Sequence, residues 1–331
     1  MADEIKFNSD STITFGAYTM TFTDDGFEFD GNILATEYEV LPPQAQGSIS
    51  GYTSGGNPGP TNVIDKFPFA SDGNATDVGD LTVGRYAVTG QSSSVSGYAS
   101  GGNPSTNVID KFPFAADANA TDVGDLTAAR YFPAGQSSTV SGYNSGGQTD
   151  SSTFLDVIDK FSFAADGNAT DVGDLTLTRS GAGGQSSDVS GYTSAGARPP
   201  NSSSQNTIDK FPFAADGNAT DVGNLTQARR LTSGQSSDVS GYTSGGFAPP
   251  RVNTIDKFPF AADGNATDVG DLLSVTNAPA GQSSTTDGYA SGGTAPANTN
   301  VINKISFASD GNATDVGDLT LARSSASGQQ V

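Results

Sequence analysis

No cysteine, histidine or tryptophan occurs in the 331 residues, and methionine occurs only twice. Without cysteine there are no disulfides and no thiol chemistry. Without histidine the Ser-His-Asp arrangement, imidazole acid–base catalysis and nearly all zinc or copper sites are excluded. Positive charge is scarce as well: 15 Lys and Arg stand against 36 Asp and Glu, a net charge of -21, and the pI is near 4.1. Such a balance repels nucleic acid and anionic membrane surfaces, so neither is expected as a partner. No run of about 18 apolar residues is present, and no membrane insertion is expected. The apolar fraction of 34% is low for a single thick core. The opening Met1-Ala2-Asp3-Glu4-Ile5-Lys6 is acidic and has no apolar stretch behind it. Synthesis in a cytoplasm without a signal peptide is therefore expected.

What the chain has in abundance is glycine, 42 residues, and phenylalanine, 19 residues, set in a tandem repeat. The segment Gly-Tyr-x-Ser-Gly-Gly occurs five times intact and once with Ala195 for its second Gly. Its tyrosines are Tyr52, Tyr98, Tyr143, Tyr192, Tyr242 and Tyr289, spaced 45 to 50 residues apart. Each copy runs through a variable stretch to Ile-Asp/Asn-Lys-Phe/Ile and then to Asp-Gly/Ala-Asn-Ala-Thr-Asp-Val-Gly-Asp/Asn-Leu. The first copy lacks the opening Ala-Arg-x-x-x-x-Gly-Gln-Ser-Ser segment, while Ala322 to Gln329 supply it at the far end. An open solenoid gains nothing from this division. A ring does, because the last strand can complete the first unit.

Four strands are expected per copy: in the third, Gly135-Gln136-Ser137-Ser138, Val140 to Tyr143, Val157 to Phe163 and Thr170 to Leu175, with an Asp166-Gly167 turn joining the last two. The spacing of Ile158, Phe161 and Phe163 breaks the period of two, which predicts a bulge near Asp159-Lys160. Four strands in under about 50 residues match one blade of a propeller whose sheets bury both faces against their neighbours. The order of signals resembles the kelch propellers: Arg130 opening the first strand, Tyr143 before Gly146-Gly147, and Val172-Gly173-Asp174-Leu175 in the fourth. The resemblance covers residues 44 to 331. It departs from the family where the fourth-strand Trp is replaced by Val78, Val123, Val172, Val222, Val269 and Val316, and where Ser274-Val275-Thr276-Asn277 lacks the Arg. Closure by a C-terminal first strand, common in kelch rings, fits the divided repeat. The expected fold is all-β: a six-bladed kelch-like propeller over residues 44–331, closed by its C-terminal strand.

Residues 1–43 read differently, as a small β segment with strands such as Thr19 to Thr23 and Phe27 to Phe29, five or so in number, ended by Pro42-Pro43. A sheet this small gains from pairing with something else. It is expected to serve as a docking segment for a larger assembly or to self-associate into a homo-oligomer, the alternative being a tail that packs on the ring.

In a four-stranded blade the second-to-third and fourth-to-first connections share one face of the disc. Both sets vary among the copies, whereas the Asp-Gly-Asn-Ala-Thr turns on the other face hardly change. Every arginine lies in the variable segments. An arginine and aromatic face opposite an acidic one is therefore expected. Its candidate ligand residues are Arg85, Tyr86, Arg130, Tyr131, Phe132, Arg198, Arg229, Arg230, Phe247 and Arg251, suited to polar or acidic ligands such as glycans. The competing expectation for the fourth-to-first arginines is a packing role, with Arg179 paired to Asp174.

Asp72-Gly73-Asn74-Ala75-Thr76 begins like a calcium loop but lacks the later Gly and Glu, and turn chemistry alone explains six such copies. No metal and no cofactor are expected. The Asn-Ala-Thr acceptors do not meet glycosylation machinery in a protein that is not exported. Aspartates that recur in every copy give no single asymmetric cluster for catalysis, so no enzyme activity is expected. Tandem copies without Cys or His behind a short β segment resemble in style the fibre, knob and decoration proteins of phage virions. That resemblance implies a virion protein released by lysis, docked through residues 1–43 to other virion proteins and contacting a host-surface glycan or protein through its variable face. The alternatives are a decoration protein without a host ligand and a carbohydrate-active enzyme.

Overall fold

The structure, a computed structural model, describes residues 46–331 and, among the first 45, the backbone of four strands. The chain divides into two compact units, Met1–Pro42 and Pro43–Val331. In the first, Thr12–Phe15, Tyr18–Thr23, Gly26–Phe29 and Asn32–Ala35 form one antiparallel sheet in chain order. Phe15 stands opposite Tyr18, Thr23 opposite Gly26, and Phe29 opposite Asn32. Four strands are described where five or so were expected, and Pro42-Pro43 lies outside the described residues.

The second unit is a six-bladed β-propeller. Each blade is an antiparallel sheet of four strands, in chain order except where the C-terminal strand stands first in one of them, with a fifth, two-residue strand, Ala197–Arg198, added in the fourth. Blades I to VI are named here by their inner strands: Ser327–Gln330, Thr89–Ser92, Ala134–Ser137, Gly183–Ser186, Ser233–Ser236 and Ala280–Ser283. Each inner strand touches the next, and that of blade I touches those of blades II and VI, so the circle is closed. Closure is by the C-terminal strand as expected: Ser327 pairs with Ser54, Gly328 with Thr53, Gln329 with Tyr52 and Gln330 with Gly51.

The Gly-Gln of each inner strand explains how six sheets meet at one axis. A methyl group on Gly90 would sit 2.1 Å from Gly328 O, one on Gly184 2.1 Å from Gly135 O, and one on Gly328 2.0 Å from Gly281 O. The strands approach more closely than any side chain allows. Each neighbouring Gln then reaches into the next blade: Gln136 Nε2 donates to Tyr192 O at 2.9 Å, and the same bond recurs from Gln91, Gln185, Gln235, Gln282 and Gln329.

The apolar core is six thin seams rather than one mass. In five seams the Tyr, Ile and Leu of one blade meet an aromatic pair and the Ala of Asn-Ala-Thr from the next, as with Tyr143, Ile158 and Leu175 against Phe211, Phe213 and Ala219, and in the sixth Ile305 stands in for one ring of the pair. Tyr143 lies 5.5 Å from Phe211 and stacks on Phe213 at 4.9 Å. Val172, in the position of the missing Trp, packs partly buried against the same group. The predicted bulge is present, with its extra residue on the fourth strand. Ile158 pairs with Gly173 and Asp159 with Asp171, leaving Val172 over. Ile158 and Asp159 face opposite sides of the blade, and both are fully buried because Phe211 of the next blade covers one and Thr127 of the preceding connection the other.

Candidate functional site

The two variable sets of loops lie on one face and are joined there. In every blade the residue after the conserved Arg position forms a reciprocal backbone bridge with the residue after Gly-Gly: Ser324 with Asn57, Tyr86 with Asn103, Tyr131 with Gln148, Ser180 with Ala197, Arg230 with Phe247 and Asn277 with Thr294. The N–H···O distances run from 2.7 to 3.2 Å. One residue further toward the axis, Ala87, Phe132, Gly181, Leu231, Ala278 and Ser325 all adopt left-handed backbone, with φ from 55° to 63°. That conformation points each N–H at the carbonyl of the preceding blade. Phe132 N donates to Ala87 O, Gly181 N to Phe132 O, and so on until Ala87 N donates to Ser325 O, at 2.6 to 2.9 Å. Six donors and six acceptors satisfy one another in a closed circle around the axis.

This circle floors a shallow hollow of about 60 Å³ whose wall includes Val88, Phe132, Pro133, Leu231 and Pro279. Further along the axis a polar hollow of about 50 Å³ is lined by the inner-strand Gly, Gln and Ser residues. Either holds no more than a few waters at roughly 10–15 Å³ each. Neither has room for a sugar chain, so a ligand role for the predicted residues requires them on the outer surface of the face.

The structure removes three of the expected ligand residues from that surface. Arg85, Arg130 and Arg229 are at most 1% exposed, as are Arg179 and Arg323. They lie inside the blades, paired with the Asp of the third strand: Arg85 with Asp110 at 3.2 Å, Arg130 with Asp159 at 3.0 Å, Arg179 with Asp209, Arg229 with Asp256 at 3.2 Å and Arg323 with Asp65 at 3.0 Å. The packing role was the correct one for these side chains, but the partner is not the fourth-strand Asp. Burial pushes the guanidinium of Arg130 below its ordinary pKa, and the Asp159 charge opposes the shift. Asp159 also accepts from Thr127 N at 2.9 Å and Thr127 Oγ1 at 2.7 Å, so its carboxylate is fully occupied. A buried ion pair is tolerated only with such additional bonds.

Blade VI reveals the logic by omitting it. Thr276 stands where the others have Arg, Asn303 where they have Asp, and Leu273 where they have Thr. Leu273 N donates to Asn303 Oδ1 at 3.1 Å, keeping the backbone bond without a buried charge. These coupled changes were the sequence signal for the ion pair. Blade VI is also the odd member among the acidic positions: Asp287 replaces the Ser found at the start of the second strand elsewhere, beside a hollow of about 250 Å³ that Asp72, Lys304 and Asp310 also line.

The remaining predicted residues do lie at the variable face. Tyr86, Tyr131, Phe132, Arg230, Phe247 and Arg251 are partly exposed, and Arg198 is exposed. Gln148 Nε2 donates to Tyr131 Oη at 2.9 Å, and Tyr131 lies against Phe132 with ring centres 5.8 Å apart. The guanidinium of Arg230 sits over the Phe247 ring at 4.7 Å. In the loop of blade III the Asp150 carboxyl is held down to about 2 by hydrogen bonds from the Ser152 backbone and hydroxyl and from Thr153. Gln148, Ser204 and Asn277 are residues of this face that sequence reasoning did not single out.

The opposite face is less acidic in effect than its Asp content suggests. Each turn Asp takes an ammonium from the blade before it: Lys66 to Asp117, Lys111 to Asp166, Lys160 to Asp216, Lys210 to Asp263, Lys257 to Asp310 and Lys304 to Asp72, at 2.8 to 3.2 Å. The Asn of each Asn-Ala-Thr accepts a backbone N–H from the same neighbour, as Asn168 does from Asp125 at 3.1 Å. The turn is thus a clamp between blades, holding the Lys ammonium of one neighbour through its Asp and a backbone N–H through its Asn. Around the axis on this side the first-to-second turns expose Ile49, Val95, Val140, Val189 and Val239, each above 60%.

A scan against protein-family models found none that matches this chain, and a search of curated proteins found no similar sequence.

Proposed function

We propose that this protein is a non-enzymatic recognition module, a kelch-like propeller carried on a virion, in which residues 1–43 dock to a larger particle and the variable face contacts a host-surface glycan or protein. The observation that carries this reading is the ring of six bridged pairs. Their backbones are bonded alike in every blade, while no two pairs carry the same side chains. A frame that holds position constant and varies chemistry offers independent contact points without disturbing the fold, which is how loops on rigid scaffolds recognise ligands. By contrast, the repeated Arg and third-strand Asp residues are engaged inside the blades, and the repeated Lys, turn Asp and Asn residues between them. The virion setting is supported by the style of the sequence: tandem copies without Cys or His behind a short β segment.

The test is adsorption of the full chain to isolated cell-surface polysaccharides. Tyr131→Ala combined with Phe247→Ala is expected to reduce retention by about tenfold or more, as the loss of two partly exposed aromatic contacts implies. Deleting residues 1–43 is expected to abolish incorporation into particles without affecting adsorption. Retention that ignores the face substitutions contradicts the reading, and hydrolysis of the polysaccharide replaces it with an enzyme.

A further inference from the structure

The cations of the propeller are engaged with carboxylates with few exceptions. Among the described residues, each of the six lysines is paired with an Asp of the next blade, and five of the eight arginines are buried against an Asp of their own blade. Three cations remain without a carboxylate partner, Arg198, Arg230 and Arg251. All three belong to the variable loops of blades IV and V.

They are physically continuous. Arg198 pairs with Ser203 across a two-residue ladder, and the turn between those strands presents Ser202 O and Ser204 Oγ to Arg230 Nη1 at 2.7 and 3.4 Å. Ser204 Oγ in turn donates to Phe247 O at 3.3 Å, and Phe247, which carries the Arg230 guanidinium on its ring, is bridged to Arg251. Arg251 Nε donates to Asn277 Oδ1. The loops that build this patch, residues 197–206, 227–232, 247–253 and 273–279, contain no Asp or Glu, in a chain with 36 of them.

We infer that this sector of blades IV and V binds an anionic glycan, a sugar chain bearing carboxylate or sulfate groups. The inference rests on the reading of the variable face as the contact surface and assigns the ligand's charge and its place. Guanidinium groups meet carboxylate and sulfate oxygens with paired, charge-assisted hydrogen bonds. Arg230 is already held flat by Phe247, so little freedom is lost when an anion arrives. The adjacent hydroxyl and amide groups and the Phe247 ring suit a sugar better than a densely charged polymer. The remainder of a molecule with net charge -21 repels long nucleic acids and confines anion contact to this sector.

The test measures retention of polysialic acid and polygalacturonate by the immobilised full chain, with carboxyl-reduced polygalacturonate and dextran as neutral counterparts, at low and high salt. The carboxylated chains are expected to bind about tenfold more tightly than the neutral ones, and high salt should erase the difference. Arg198→Glu, at an exposed side chain without a partner, should remove that preference, and Arg198→Lys should largely keep it. Equal binding of charged and neutral chains, lost on Tyr131→Ala, overturns the inference while leaving the contact face in place. Binding indifferent to every variable-face substitution overturns both. Failure to retain any carboxylated chain, or retention of DNA in preference to both glycans, also overturns it.

Discussion

The buried guanidinium of Arg130 is stable because a carboxylate, a threonine and backbone carbonyls are folded against it, so that all three of its nitrogens donate. Arg130 and Asp159 are both fully buried, and removing either partner strands the other in a medium that solvates it poorly. Arg130→Thr alone is expected to destabilise the protein by about 3–5 kcal/mol. The triple variant Thr127→Leu, Arg130→Thr, Asp159→Asn copies the arrangement of blade VI and should recover most of that loss. Urea unfolding midpoints with unchanged slope would report both values. A single-variant cost below about 1 kcal/mol, the range of surface pairs, would contradict the account. This pair also marks a limit of reading side chains one at a time. The sequence places every Arg in a variable segment, yet a long side chain can leave its segment and point inward. Only the joint substitution to Leu273, Thr276 and Asn303 distinguishes a buried pair from a surface contact.

Strands and the seams between them set the molecule's response to pH. Tyr52, Tyr98, Tyr143, Tyr192, Tyr242 and Tyr289 each fill a seam, and burial raises the pKa of every one above its ordinary value near 10. For Tyr289 the neighbouring Asp287 charge adds to the shift. The hydrogen bond to Asp166 raises Lys111, and that to Asp216 raises Lys160. In each case the folded chain keeps a proton that the unfolded chain releases, so stability present below about pH 10 falls as pH rises through the window between the unfolded and folded values. In a variant with the four other tyrosines replaced by Phe, loss of backbone dichroism and appearance of tyrosinate absorbance should be one cooperative event starting above pH 10. Ionisation of these six seam tyrosines near 10 while the sheets persist would contradict the packing described. Strand positions were legible because aromatic spacing and Asp-Gly turns fix them locally. The side of the bulge was not legible. The pattern Ile158, Phe161, Phe163 shows that a residue is out of phase, and only the partner strand shows that Val172 is the extra one.

As a whole, the propeller is a circle of near-identical blades in which sameness is spent on cohesion and difference is gathered on one side. Closure could be read from the divided repeat, because Ala322 to Gln329 complete what the first copy lacks. The sidedness of the loops could be read from strand order. What could not be read was the circle of left-handed residues at Ala87, Phe132, Gly181, Leu231, Ala278 and Ser325, since only one of them is glycine. Their backbone is imposed by the hydrogen-bonded circle rather than by local preference. The outcome is a face that displays unlike side chains at equivalent positions, opposite a face with an aliphatic ring at Ile49, Val95, Val140, Val189 and Val239. Hydroxyl-radical footprinting of the full chain, with and without a saturating acidic glycan, tests directly which face meets the ligand. Protection of Tyr86, Tyr131, Phe132 and Phe247, strongest at Phe247, with the aliphatic ring unchanged, is the predicted result. Protection confined to the aliphatic ring, with the four aromatic residues labelled as before, would contradict it.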